Sequence, residues 1–208
     1  MLRPGRAMVQ RGHAYGFSLL ELMVVLTLVG ILALLATPSM AEWMKNQRIR
    51  GTAEALLNGL QTAREEAIRR NRPASFWLVS NLTSGCALSN TSGSWVVSLN
   101  SPAGQCDSAP SATAAPLLVT SYAVQGSLDV KALDKDGSAA SEARFDGYGR
   151  LAGTAPIARI EVRDPADADK ASAATHAYRS LRVQILGTGV IRLCDPRISD
   201  ANDTRRCT

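Results

Sequence analysis

Apolar and polar positions follow two different patterns along the chain, and the change comes at Pro73. Before it, residues 17–36 are almost all apolar, and residues 49–67 carry an apolar stripe at helical spacing. After it come short runs rich in β-branched and aromatic side chains, with turn-forming residues between them. The pattern predicts a long helix followed by a β domain.

The predicted helix runs from Phe17 to about Arg70. Its first part, residues 17–38, is long and apolar enough for a transmembrane segment. Its second part, residues 39–72, is amphipathic, and its stripe should pack on the β domain; the stripe consists of Ile49, Ala53, Leu56, Leu57, Leu60, Ala63 and Ala67. We expect a kink or loosening near Pro38, since proline removes one backbone hydrogen bond.

Eight short runs after Pro73 have the composition of β-strands. They are Ser75–Val79, Trp95–Leu99, Leu117–Tyr122, Leu128–Val130, Ala143–Phe145, Ile157–Val162, Leu181–Ile185 and Val190–Leu193. Asp146–Gly149 reads as a tight turn between two strands, and residues 101–116 and 164–175 read as loops. Short strands at this spacing are typical of an antiparallel β domain. The predicted fold class is α+β, with one domain at residues 73–208 after the helix.

Glu21 lies near the start of the apolar run, where a carboxylate is costly. The cost is roughly 2.5–3.5 kcal/mol at the centre of a membrane helix and less near its end, and a charge there is a functional hypothesis by default. Cleavage after Gly16 would give Phe17 a free α-amino group with which Glu21 could pair. Two plainer interpretations stay open: a secretory signal peptide cleaved near Met40–Ala41, and an uncleaved signal anchor.

The stretch Gly16–Glu21, with the sequence Gly-Phe-Ser-Leu-Leu-Glu, resembles the type III signal sequence of type IV prepilins and type II secretion pseudopilins. The resemblance implies that residues 1–16 are a leader. It implies that a membrane peptidase and methyltransferase cuts after Gly16 and methylates Phe17. Glu21 would then meet the N-terminal amine of a neighbouring pilin or pseudopilin during filament assembly. Gly30 and Pro38 match positions at which this family often has a glycine and a helix-bending proline.

Charges beside the apolar run indicate its orientation. Three arginines and no acidic residue precede it, and an excess of positive charge favours the cytoplasmic side of a membrane. Lys45, Arg48 and Arg50 follow the run and reduce this asymmetry of charge. With the resemblance, this predicts a single-pass protein of the bacterial inner membrane with a periplasmic C-terminal domain, which then enters a pilus or pseudopilus. Loss of the three leader arginines takes the formal net charge from +5 to +2, so net charge gives little support for a nucleic-acid partner.

The β domain resembles the GspH/FimT branch of the pilin-like proteins. The resemblance lies in the order of elements and in three motifs: Trp95–Val97 before a cysteine-bearing loop, Phe145–Gly149, and Gly189–Cys194. It implies a two-sheet β domain packed on the helix, and a minor pilin that helps to initiate or cap a type IV pilus. A pseudopilin of a type II secretion system is an alternative, because both systems use the same leader and helix. The cysteines and the Gly-x-x-Arg-x-Cys ending favour the pilus member.

Four cysteines, Cys86, Cys106, Cys194 and Cys207, allow three pairings. We expect Cys86–Cys106 and Cys194–Cys207 because each pair brackets one loop, and a periplasmic domain permits disulfides. Closing loops of this size stabilises a fold by roughly 3 kcal/mol on the chain-entropy argument. With no Cys-x-x-Cys motif and two isolated histidines, we expect no metal site.

The sequence contains no phosphate-binding or dinucleotide-binding glycine motif and no nucleophile elbow. We therefore expect neither an enzyme nor a cofactor. A different function class is DNA capture at a pilus tip, since FimT-type members end in Gly-Arg-x-Arg-x-Cys and a basic tail. In this chain Val190 stands in place of the first of those arginines, and three aspartates dilute the tail. The candidate DNA contacts, whose binding should be weakened by salt, are Arg192, Arg197, Arg205 and Arg206.

Overall fold

The computed structural model describes residues 18–167 and 179–207, apart from the side chains of residues 33–39. The chain divides into two compact units, Met1–Ala41 and Glu42–Thr208. The described elements are one long helix, nine strands and a 3₁₀ turn at Pro165–Asp167. They are α1 (Leu19–Arg70), β1 (Ala74–Leu78), β2 (Trp95–Ser98), β3 (Leu118–Tyr122), β4 (Asp129–Leu133), β5 (Glu142–Phe145), β6 (Leu151–Ala152), β7 (Arg159–Arg163), β8 (Leu181–Ile185) and β9 (Ile191–Cys194).

In the first unit, α1 presents its large apolar side chains to the outside. The exposed fractions of the large hydrophobic side chains between Leu19 and Leu32 run from 48% to 76%. The helix is continuous through Pro38, and the kink expected there stays a prediction. Among the residues that the structure describes, no helix is both long enough and apolar enough to cross a membrane.

The C-terminal end of α1 is closed by a capping motif. Asn71 has a φ of 47°, and its N–H donates to the carbonyl of Ile68 at 3.1 Å. The N–H of Arg72 donates to the carbonyl of Ala67 at 3.2 Å. These two hydrogen bonds, together with the left-handed conformation of Asn71, form a Schellman motif, which satisfies carbonyl groups of the last helical turn. The helix thus ends at Arg70, where the sequence predicts its end.

The strands form two antiparallel sheets in the second unit. The five-stranded sheet has the order β3-β2-β1-β5-β6, and the four-stranded sheet has the order β4-β7-β8-β9. One hydrophobic cluster joins both sheets to α1, and its fully buried helix residues are Ile49, Ala53, Leu56, Leu60, Ala63 and Ala67. The predicted stripe is therefore the packing face, except that Leu57 lies at its partly buried margin. The α+β class with two sheets is confirmed.

Two glycines of α1 provide a matched test of this packing. A Cβ added at Gly59 would lie 2.8 Å from Trp95 and 2.9 Å from Phe76, whereas one added at Gly51 would meet nothing within 4 Å. We expect Gly59→Ala to lower the free energy of unfolding by about 1–3 kcal/mol through overpacking. Gly51→Ala should raise it by about 0.5–1 kcal/mol, because alanine is the better helix former. Urea unfolding of the two variants measures both; an equal effect of the two changes would contradict the packing described here.

Candidate functional site

The beginning of α1 coincides with the predicted processing motif. Ser18 is the N-cap: its Oγ accepts a hydrogen bond from the N–H of Glu21 at 3.1 Å, and its carbonyl accepts one from Leu22 at 3.1 Å. Ser-x-x-Glu is the spacing of a capping box. Glu21 is therefore held in the first helical turn with an exposed side chain, where the helix dipole favours a negative charge. Gly16 and Phe17 lie outside the described residues, so cleavage and methylation there stay predictions.

The first disulfide links the loop between β1 and β2 to the loop between β2 and β3. Cys86 and Cys106 are bonded, and both are nearly fully buried. They belong to a second, smaller hydrophobic cluster with Trp77, Val79, Val96 and Leu118. The N–H of Gly104 also donates to the carbonyl of Cys86 at 3.0 Å. The bridge thus fastens two long connections to the outer face of the five-stranded sheet.

The second disulfide folds the C-terminal tail back on β9. Cys194, the last residue of β9, is bonded to Cys207. Between them, the N–H of Asp195 donates to the carbonyl of Arg205 at 2.8 Å, and Asp195 and Arg206 form an isolated parallel bridge. Both disulfides have the pairing that the sequence predicts. The tail is therefore a closed loop attached to the edge of the four-stranded sheet.

Three of the four predicted DNA contacts already have partners within the domain. The Arg197 guanidinium binds both carboxylate oxygens of Asp195, at 3.2 and 3.1 Å. Arg205 binds both oxygens of Asp203, at 3.1 and 2.7 Å, and its hydrogen bonds lower the pKa of Asp203 to about 2. Arg192 donates twice to Gln184 Oε1. DNA contact by these residues and Arg206 stays a prediction, and any phosphate would compete with these internal partners.

Arg205 also lines a groove beside the tail, together with two arginines from other parts of the chain. A cavity of about 250 Å³ is lined by Arg50 from α1, Arg179 before β8 and Arg205 from the tail. An adjoining cavity of about 230 Å³ shares Arg50 and Arg179 and reaches Trp43. We call these two cavities the arginine groove. Sequence reasoning noted Arg50 only as a flanking charge and missed Arg179, because nothing in the sequence brings the two residues together.

The groove owes its shape to local contacts of α1. The N–H of Arg179 donates to Asn46 Oδ1 at 2.8 Å, which fastens the segment before β8 to the helix. Arg50 Nε binds Glu54 Oε1 at 2.8 Å, one turn along α1. Lys45 Nζ lies 3.5 Å from Asp164 Oδ2 and ties the end of β7 to the same stretch of helix. The Cys194–Cys207 bridge holds Arg205 on the opposite wall.

Removing the second disulfide should therefore release one wall of the groove. For Cys194→Ser with Cys207→Ser we expect a loss of stability of about 3 kcal/mol or less, the chain-entropy value for a loop of this size. Amide protection of β8 and β9 should persist, while residues 195–207 should exchange faster and be cleaved by proteases. Cys86→Ser with Cys106→Ser is the matched control, and it should leave tail protection unchanged. Unaltered protection of the tail in the first variant would show that the bridge does not hold it.

Two family profiles match the sequence. Residues 52–189 match the family described as type II transport protein GspH, and residues 11–37 match the prokaryotic N-terminal methylation motif. The chain belongs to the GspH family. The matched range of this GspH-family protein begins in the second part of α1 and ends just before β9. The resemblance inferred from the prepilin-like leader and the β-domain motifs is confirmed.

Comparison with solved structures returns the type IV minor pilin FimU of Pseudomonas aeruginosa in two crystal forms. The P65 form has 15% identity and a TM-score of 0.43, covering 69% of this chain and 90% of FimU. The P21 form has 13% identity and a TM-score of 0.43, covering 73% and 91%. No curated protein matches the sequence at a significant level.

The two family matches set the general role of the protein. A GspH-type domain that follows an N-terminal methylation motif has the role of a minor pilin or pseudopilin. The motif implies processing by a prepilin peptidase and assembly with other pilins. It also implies a membrane-anchored protein whose β domain lies in the periplasm.

Proposed function

We propose that this protein is a minor pilin of a type IV pilus that helps to initiate or cap the filament. The observation that carries the proposal is the exposed apolar surface of α1 between Leu19 and Leu32. Contiguous exposed surface of this kind marks a membrane or protein interaction site. Lipid would cover it before assembly, and the helices of neighbouring subunits would cover it in the filament.

Assembly chemistry then centres on Glu21. In lipid, a carboxylate without a partner is costly, and docking beside the Phe17 amine of a neighbouring subunit removes that cost. The capping bond from Glu21 to Ser18 uses the backbone N–H and leaves the carboxylate oxygens available for this pairing. In this scheme the leader keeps the amine from forming until the peptidase has cut after Gly16.

The orientation that we propose places the leader in the cytoplasm and residues 73–208 in the periplasm after a single membrane crossing. The support is the excess of arginine in the leader, which contains no acidic residue. Both disulfides suit an oxidising compartment such as the periplasm.

The experiment that tests the processing step is intact-mass measurement and N-terminal sequencing of the membrane-extracted protein. The wild-type protein should begin at N-methylated Phe17. Gly16→Ala should keep residues 1–16 and lack the methyl group, because the peptidase would not cut. A wild-type start near Ala41 would indicate an ordinary secreted protein, and an uncut chain would indicate a plain membrane anchor. Either result would remove the filament role.

A second experiment separates the pilus from the type II secretion system. Deletion of the gene should abolish or sharply reduce surface pili, and the wild-type gene should restore them. Secretion of type II substrates should be unchanged in the deletion strain. Loss of secretion with normal piliation would instead identify a pseudopilin of a type II secretion system, whose leader is processed in the same way.

A further inference from the structure

Most of the large apolar side chains that stay exposed in the second unit gather at one place. Within residues 42–167 and 179–207, seven such side chains are exposed, and four of them are Ile68, Tyr148, Leu186 and Val190. They come from the end of α1, the turn between β5 and β6, and the turn between β8 and β9. We call these four side chains the junction surface.

Close contacts bring the three segments together. A Cβ added to Gly149 would lie 2.6 Å from Ile68 Cδ1, and one added to Gly189 would clash with the carbonyl oxygen of Gly149. Leu186 and Val190 are paired across the turn that contains Gly189, where the N–H of Leu186 donates to the carbonyl of Val190 at 2.9 Å. The four exposed side chains therefore flank a single meeting point of α1 and two turns.

The turn between β5 and β6 presents Tyr148 in an ordered position. Tyr148 is 79% exposed, more than any other large hydrophobic side chain described in the second unit. Asp146 Oδ1 accepts hydrogen bonds from the N–H groups of Tyr148 and Arg150, at 2.9 and 3.0 Å. The Arg150 guanidinium lies over the Tyr148 ring, 5.3 Å from its centroid. Because the turn and the ring are already ordered, a partner that covers Tyr148 loses little conformational entropy.

The charges around the junction surface favour a partner that carries carboxylates. Residues 64–72, 146–150 and 186–192, which meet at the junction, contain six arginines but three acidic residues. Two of these acidic residues are already paired within the domain; the pairs are Asp146–Arg150, Glu66–Arg69 and Glu66–Arg70. The junction therefore has an excess of positive charge, and a negatively charged partner surface complements it.

The aliphatic content of the junction surface favours a protein partner over a nucleic acid. Single-stranded nucleic acids stack their bases on aromatic rings, and Tyr148 is the one ring of this surface. Ile68, Leu186 and Val190 are aliphatic, and they are 46%, 39% and 48% exposed. Aliphatic groups gain most from burial against another apolar surface. Tyrosine and arginine are also enriched among the residues that dominate protein–protein binding.

We infer that the junction surface docks on the globular domain of a neighbouring pilin subunit, whose matching surface is apolar and bordered by carboxylates. Tyr148 would be the anchor of this contact, and the arginines around it would set the orientation of the partner. The inference rests on the proposed function, because the neighbouring subunit is met during filament assembly. It adds a contact of the β domain to the pairing of Glu21 at the start of α1.

Incorporation of Tyr148 variants into filaments tests this contact in the full chain. Tyr148→Ala removes the anchor and should lower incorporation, relative to the amount in the membrane fraction, about tenfold or more. Tyr148→Phe keeps the ring and should be incorporated nearly as well as the wild type. The matched control is Leu88→Ala, which removes another exposed apolar side chain; it lies beside Val79, at the opposite end of β1 from the junction, and should leave incorporation unchanged. All three variants should unfold at the wild-type urea concentration, because each changes a surface side chain.

A charge variant tests the chemistry expected of the partner. Arg72→Glu reverses an exposed charge beside the junction and should lower incorporation several-fold, because it places like charges across the contact. Arg48→Glu makes the same change at an exposed position 24 residues earlier, about 36 Å along the helix axis, and should have no such effect. Equal incorporation of the two variants would contradict a carboxylate-bearing partner at this site.

Photo-cross-linking identifies the partner. Tyr148 is replaced by the photoreactive analogue 4-benzoylphenylalanine, and sheared filaments are irradiated. Mass spectrometry should identify a cross-link to another pilin subunit, and the product should be missing when Gly16→Ala blocks assembly. A cross-link to a protein that is not a pilin would overturn the inference. A cross-link between two copies of this chain that persists with Gly16→Ala would mean a dimer contact outside the filament instead.

The outcomes separate this inference from the proposed function. Absence of the wild-type protein from filaments would overturn the proposed function itself. Presence of the wild type together with normal incorporation of Tyr148→Ala would overturn the junction contact alone. If Tyr148→Ala is incorporated normally but no longer binds a single-stranded oligonucleotide that the wild type binds, the junction surface is a nucleic-acid site instead.

Discussion

A Glu21→Ala protein is expected to be cleaved and methylated normally but to be missing from filaments. In the proposed assembly step the Glu21 carboxylate meets the Phe17 ammonium of a neighbour away from water. Removing one partner of such a buried pair costs about 3–5 kcal/mol, because the other charge remains without compensation. That cost corresponds to a loss of incorporation of about 100-fold or more. Immunoblots of sheared filaments measure how much of the variant is incorporated. Immunoblots of the membrane fraction measure how much of it is available for assembly.

Two control variants separate the charge from the helix. Glu65→Ala removes an exposed carboxylate from the same helix and should leave incorporation unchanged. Ser18→Ala removes the N-cap, which typically costs about 1 kcal/mol, and should reduce incorporation only slightly. If Ser18→Ala is as defective as Glu21→Ala, then Glu21 acts through the capping box and not through its charge. Normal incorporation of Glu21→Ala would remove the pairing step altogether.

The helix and most strands could be predicted from the sequence because their signals are local. The stripe from Ile49 to Ala67 repeats every helical turn, and it is the face that the protein buries. Each of the eight predicted runs overlaps an observed strand. Strand β6, Leu151–Ala152, was missed because two residues carry no periodicity, and it exists only through pairing with β5. The predicted turn Asp146–Gly149 connects β5 to β6, so one of the two strands that it joins was not predicted.

The division of strands between the sheets could not be predicted from local signals. Strand β5 pairs with β1, more than 60 residues earlier, while β4 and β7 on either side of it pair with each other. The arginine groove depends on the same long-range order. Arg50 and Arg179 line the same cavities although they are far apart in sequence, and the hydrogen bond from the Arg179 N–H to Asn46 Oδ1 fastens the segment before β8 to α1. By contrast, both disulfides join cysteines that are neighbours along the sequence, as predicted, although Cys86–Cys106 links the loops on either side of β2 and does not bracket one loop.

Gly189→Ala is expected to destabilise the β domain severely. A Cβ at this position would lie 1.8 Å from the carbonyl oxygen of Gly149, and the residue has a φ of +83°. That same oxygen accepts a hydrogen bond from Arg64 Nε at 3.0 Å, so it cannot move away freely. This point is where the turn after β5, the turn after β8 and α1 meet. The two glycines belong to separate motifs of the sequence, and the contact gives a physical reason for both.

The cost of Gly189→Ala should be about 2–5 kcal/mol, combining a strained backbone with overpacking. The free energy of unfolding of a domain of this size is about 5–15 kcal/mol, so the variant should lose a large part of its stability. Gly187→Ala is the matched control: it lies two residues away in the same turn, its Cβ would meet nothing within 4 Å, and its carbonyl still accepts from Leu151. Urea unfolding of both variants in detergent, monitored by tryptophan emission, measures the difference between their free energies of unfolding. Equal midpoints would show that the two turns do not make this contact, and the junction between the sheets would then need another explanation.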